Sequence, residues 1–148
     1  MNAIVLIGCR AFEVQTSTLV GVSTRIYLDY PKLFYADGDR TPKMTSNTKP
    51  WGEAFASREA EGYEAYRAFD NIFNEQGYVF GSGPPNIFQI GFDFGGGRLQ
   101  RIDRYTLTCG MTPDGISWTN PQAWSLKASN DGNFAGEEVI LDTVVGQS

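Results

Sequence analysis

"NIFQIGFDF", residues 86–94, is the stretch on which the fold class turns. Ile87, Gln89, Gly91 and Asp93 alternate with Phe88, Ile90, Phe92 and Phe94. A period of two places Phe88, Ile90, Phe92 and Phe94 on one face of an extended strand. Such a strand cannot stand alone. Its backbone groups need partners in a sheet and its aromatic face needs a second layer to cover it.

The rest of the chain supplies more of the same. "AIVLIG", "AFEVQTSTLVGVS" and "TRIYLDYPKLFYA" fill most of residues 1–45 with β-branched and aromatic segments, and in "RIYLDY" Ile26, Leu28 and Tyr30 alternate with Arg25, Tyr27 and Asp29. "DGDRTPK" reads as a turn-rich linker. Further strands are expected over roughly 51–56, 87–94, 99–109, 122–128 and 137–142, with Ile102, Tyr105 and Leu107 on one or neighbouring faces. "SREAEGYEAYRAFDN" alone is compatible with helix, and Gly62 limits it to about one turn around Glu64–Ala68. The expected class is all-β, a sandwich or barrel with one short helical turn.

Composition narrows function. At 148 residues, 41% apolar and 14% aromatic, the chain is one domain with enough material for a single core. A net charge of −5 disfavours nucleic acid and anionic lipid. The absence of histidine removes Ser–His–Asp and Cys–His catalysis and histidine metal ligands. Cys9 and Cys109 are too few for a disulfide scaffold and read as free thiols, Cys109 within a strand. "LIGC", residues 6–9, looks like a lipobox, but no basic residue precedes it and its apolar run is short, so a first β-strand is the preferred reading. No apolar run reaches the roughly 20 residues of a membrane span.

The order of elements after residue 45 carries a resemblance. Ala54–Ser57, "AYRAFDN" (65–71), "PNIFQIGFDFG", "RIDRYTLT" and "PQAWSLKASNDG" follow one another over about residues 46–142. This resembles the discoidin, or coagulation-factor type C, family of galactose-binding-like jelly rolls. The most specific piece is "WSLKASNDG", a strand with Trp124 and Leu126 running into a Ser129–Gly132 turn. The resemblance implies a discoidin-like jelly-roll β-sandwich over 46–148, lacking its last strands, preceded by a short β-rich arm, 1–45, for attachment or oligomerisation. The missing edge is expected from a longer parent protein, with a neighbouring chain or residues 1–45 as other sources.

Asp70 is read first as an architectural residue whose carboxylate accepts backbone N–H groups of its own turn. Family members that bind calcium carry a richer set of oxygen ligands there. Here Ile72 stands two residues after Asp70, leaving Asp70, Asn74 and Glu75 as candidate calcium ligands, short of the 6–8 oxygens calcium takes. Bound calcium is the second reading, and no other cofactor is expected.

The resemblance places ligands at loops clustered on one end of the sandwich, here 57–63, 71–85 and 110–121. Arg58, Tyr63, Asn74, Tyr78 and Trp118 are the candidate binding residues, since a sugar needs an aromatic face and planar polar groups. The plainer alternatives are packing for Trp118 and Tyr78 and a solvated charge for Arg58. Glu59, Glu61 and Glu64, and Glu137 and Glu138, cluster without a nucleophile or oxyanion device, so glycosidase chemistry is not expected. "FGGGR", 94–98, lacks the ending of a phosphate loop and is expected to be a hairpin.

The resulting expectation is a non-enzymatic module that recognises a cell-surface glycan. Its layout resembles that of phage virion proteins, such as tail or head fibres and decoration proteins. Residues 1–45 would contact other virion proteins, copies would associate as a homo-oligomer, and neither nucleic acid nor membrane insertion is involved. The alternatives are a virion cement protein that binds no sugar, and a carbohydrate-binding module of a bacterial surface protein.

Overall fold

The computed structural model describes residues 2–18, 27–35, 38–59, 61–72, 78–79, 88–96, 98–109 and 123–146. These form ten strands: β1 (Asn2–Cys9), β2 (Ala11–Thr18), β3 (Tyr27–Tyr35), β4 (Gly38–Asp39), β5 (Glu53–Ala56), β6 (Tyr78–Val79), β7 (Phe88–Asp93), β8 (Gln100–Cys109), β9 (Ala123–Ser129) and β10 (Val139–Val144). One 3-10 turn spans Ala65–Phe69, one residue on from the turn expected around Glu64–Ala68.

The strands pair antiparallel into two five-stranded sheets. The first runs β1-β8-β3-β4, with β6 also beside β3; the second runs β10-β9-β2-β7-β5. Both contribute to one core. Leu33, Ile102 and Tyr105 come from the first sheet, and Phe12, Val14, Phe88, Ile90, Phe92 and Leu126 from the second. The all-β, sandwich-like class read from the sequence is therefore what the chain adopts. In the second sheet the period of two holds: Phe88, Ile90 and Phe92 of β7 are buried in the core, and Ala54 of β5 joins them.

Residues on both sides of position 45 build both sheets. β1 pairs β8, β3 pairs β8, and β2 lies between β7 and β9. The N-terminal segment thus supplies a central strand. Its "DGDRTPK" stretch is not a free linker at its start, since Gly38 and Asp39 pair back onto Tyr35 and Phe34. Pro31 sits where the β3–β8 register shifts, between Asp29 and Lys32, which is where a residue without an N–H disturbs a ladder least.

The chain passes between sheets twice at one end of the molecule. Cys9 still faces Gln100 in the first sheet, whereas Ala11 faces Asp93 in the second. Arg10, at the crossing, grips Asp93 through Nε–Oδ1 at 2.9 Å and Nη2–Oδ2 at 2.8 Å, the two-pronged geometry that suits a guanidinium. The segment after β7 crosses beside it. Gly95–Arg98 is therefore not the hairpin expected from the sequence, because β7 and β8 belong to different sheets. Its turn is closed by Arg98 N–H donating to the Gly95 carbonyl, with Gly95 at φ 90° and its own N–H on Asp93 Oδ1.

Tyr105 ties the two sheets together. Its hydroxyl leaves β8, donates to Asp142 of β10 at 2.6 Å and accepts from Trp124 Nε1 of β9 at 3.1 Å. Tyr105→Phe removes that oxygen from a mostly buried site and strips both partners of a bond. The expected result is a loss of about 1–3 kcal/mol in a urea titration. A midpoint equal to the parent protein would show that the three groups are solvated rather than clamped.

Candidate functional site

The strands fix where the long connections meet. Thr18 faces Ala123, Thr16 faces Phe88, Ala56 faces Ile90, and Leu28 faces Cys109. The connections after β2, β5 and β8 and those before β7 and β9 consequently start or finish at the same end, opposite the Arg10 crossing. The candidate loop 57–63 leaves β5 at this end, and the strands that bound 110–121 stop and start there. Asn74, Glu75 and Trp118 lie outside the described residues, and Tyr78 is placed in β6 opposite Leu28.

Among the described residues, the Ser57–Phe69 segment is the ordered part of that end. Ser57 is tied to β7 on both sides, donating its N–H to the Gln89 carbonyl and accepting Gln89 N–H on Oγ. Glu59 Oε1 accepts Asn47 Nδ2 at 2.9 Å and Ala65 N–H at 2.8 Å, so it caps the 3-10 turn. Asn47 in turn accepts Tyr66 N–H on Oδ1 at 2.9 Å and Ala54 N–H on its carbonyl at 2.7 Å. Asn47 and Glu59 therefore bind turn, loop and strand into one unit. Arg58 and Tyr63 are half-buried within it.

Two further side chains of this unit pair with each other. Arg67 lies 5.4 Å from the Tyr66 ring centroid and bonds Glu64 Oε2 at 3.0 Å. The Glu64 carboxyl is held below the usual carboxylate range by backbone N–H groups, its own first, and then by Arg67.

Asp70 sits beneath this unit, 8% exposed. Its Oδ1 accepts Ile72 N–H at 2.8 Å, closing a turn in which Asn71 takes φ 59°, a left-handed value that asparagine tolerates. Burial pushes the Asp70 carboxyl up, against the Ile72 N–H and the Arg67 and Lys43 charges that favour its ionised form. This is the architectural role. Among the described residues no three His, Cys, Asp or Glu side chains group as metal ligands do.

The sequence reading missed a second cluster, on the outer face of the second sheet. Glu13 lies between core-facing Phe12 and Val14, so its side chain points outward, yet it is 3% exposed. Gly91 stands opposite it, and the Phe55 ring occupies the space a side chain at 91 would need. Phe134 from the β9–β10 connection meets Phe55 with ring centroids 5.7 Å apart. Burial pushes the Glu13 carboxyl up, while nearby Lys127 favours its charged form. The sequence signal was Gly91, set in the outward register of β7 between Gln89 and Asp93: a gap that invites a neighbour's ring.

Trp51 forms an aromatic cluster at the other end. It packs on Phe92 and Phe94, with the Arg98 guanidinium 5.0 Å from its centroid. Between the sheets, a cavity of about 20 Å³ is lined by Phe12, Glu13, Val14, Leu33, Phe69, Ile90, Gly91, Phe92 and Leu126, with the Glu13 side chain turned to the outer face. Its walls are otherwise apolar, which suits a small packing gap rather than a ligand site. No helix among the described residues is long and apolar enough to cross a membrane.

The fold defines a class: an all-β, sandwich-like protein. Comparison goes no further than that class, since no protein family, curated protein or solved structure matches this chain.

Proposed function

We propose that this chain is a non-enzymatic glycan-binding module of a virion structural protein, a discoidin-like jelly roll with its sugar site at the loop end. The observation that supports the reading is that the loop bearing Arg58 and Tyr63 leaves β5 at this end, braced by Ser57, Asn47 and Glu59, where β8 also stops and β7 and β9 begin. A rigid rim offering a planar cation and aromatic side chains suits sugar hydroxyls and the apolar side of a pyranose. Single sites of this kind bind weakly, and several copies on one particle would compensate. Attachment through residues 1–45 would use strands already committed to the sheets.

A glycan array probed with the chain displayed multivalently tests this. Binding to a defined sugar class is expected, with Arg58→Ala or Trp118→Ala weakening it about tenfold or more, the worth of a charge-assisted hydrogen bond or a stacked ring. Failure to bind any glycan in monomeric and multivalent form would discard the lectin reading. The cement reading has one observation of its own. β10 is an edge strand, and Val139 and Ile140 on it are 48% and 59% exposed, a surface that another strand would cover.

A further inference from the structure

Residues 130–138, between β9 and β10, lie across the outer face of the second sheet and are fastened almost wholly by carboxylates. Glu137 holds the segment's start, accepting Asn130 N–H at 3.0 Å on Oε2 and the Ser129 hydroxyl on Oε1. Asp131 Oδ1 accepts Asn133 N–H at 2.8 Å and faces the same Ser129 hydroxyl at 3.1 Å. Glu138 Oε2 accepts Gly136 N–H at 2.7 Å, and its Oε1 lies 3.8 Å from Lys127 Nζ. Ser129 Oγ accepts Gly132 N–H at 2.8 Å. The segment's apolar anchor is Phe134 on Phe55, reached with a φ of 50° that a bulky residue rarely adopts.

The charges beneath complete the picture. Arg10 at the crossing, Asp93 of β7 and Glu53 of β5 lie at the Gly132 side, while Glu13 of β2 and Lys127 of β9 lie under the Glu138 side. We propose that residues 130–138 are an acid-released strap, closed over the outer face while Asp131 and Glu138 are ionised and freed when they are protonated, with the sandwich still folded.

The signs support a separation of strap from body. Backbone N–H groups hold Asp131 and Glu138 below the usual carboxylate range, Asn133 contributing first for Asp131 and Glu138's own N–H first for Glu138. Their stabilisation is complete above the ordinary carboxylate pKa and is lost as pH falls through the depressed values. Glu13 and Asp70, in the body, are pushed up by burial. Their charged forms cost stability at neutral pH, and that cost disappears as pH falls through the raised values. Acid therefore loosens the strap while relieving the body. Arg10 and Lys127 then lose the strap's negative partners.

Hydrogen exchange of the full chain at pH 7 and at about pH 2, low enough to protonate carboxyls held below the ordinary range, reads this directly once intrinsic rates are normalised. The Asn130, Asn133 and Gly136 amides are expected to lose protection at least about tenfold at the lower pH, with those of β2, β7 and β9 unchanged. Strap and strands losing protection together, or the strap keeping its protection, would overturn the proposal. In the double variant Asp131→Asn/Glu138→Gln the Asn133 and Gly136 amides are expected to be weakly protected already at pH 7, with little further loss in acid. A double variant indistinguishable from the parent at both pH values would equally refute it.

Discussion

Phe92→Ala is expected to lower stability by about 3–5 kcal/mol, the range for emptying a large aromatic from a packed core. Phe92 is fully buried, and its ring meets Phe94 at 5.1 Å, Phe69 at 5.4 Å and Trp51 at 6.0 Å between centroids. Those rings come from the crossing segment, the 3-10 turn and the approach to β5, so one truncation loosens three parts of the chain. Gly52, at φ 76°, lies so close that a Cβ there would stand 2.6 Å from the Phe92 ring, leaving no spare side chain to fill the hole. Urea unfolding should show a lower midpoint at unchanged slope. A loss under about 1 kcal/mol would mean that the ring is not packed as described.

Gly91→Ala is the complementary experiment, adding one methyl group where there is no room. An added Cβ would collide with the Phe55 ring and stand 2.5 Å from the Phe12 carbonyl oxygen. A ring can swing aside, but the carbonyl belongs to β2 in the middle of the second sheet. Overpacking of this kind costs about 1–3 kcal/mol, and more where backbone must move. Pairing it with Phe55→Ala separates the two contacts: the double variant should recover only the part due to the ring. Full recovery would show that the carbonyl contact costs nothing, and β2 would then be softer than its central place implies.

Much of this architecture was legible from local pattern, because burial on one face of a strand writes itself as alternation. "NIFQIGFDF" became β7 with Phe88, Ile90 and Phe92 inside, and "WSLKASNDG" became β9 and a turn with Gly132 at φ 82°. Partner choice was not legible. Nothing near "AFEVQTST" says that it pairs with both residues 88–93 and residues 123–129, since that depends on which edges remain free once other strands have formed. "FGGGR" misled for the same reason: glycines announce a change of direction but not the sheet to which the chain returns.

The site divides similarly. Asp70 was read correctly as a turn-former because its partner, Ile72, is two residues away. Glu59 was read only as a member of an acidic cluster with Glu61 and Glu64, yet its partners are Asn47 and Ala65, too far along the chain for spacing to show. Glu13 was hidden altogether. It lies in the polar register of β2, and Phe55 and Phe134, the rings that meet above its face of the sheet, come from distant parts of the chain.

The seat of β2 also bears on how the molecule is made. Ala11 must wait for both Asp93 and Ser129 before its two flanks are satisfied. During synthesis β2 therefore emerges well before the two strands that flank it, and meanwhile it offers "AFEV" to any passing chain. A body assembled in that sequence-distant manner is expected to refold slowly for its size, and to gain from being shielded while the ribosome is still at work.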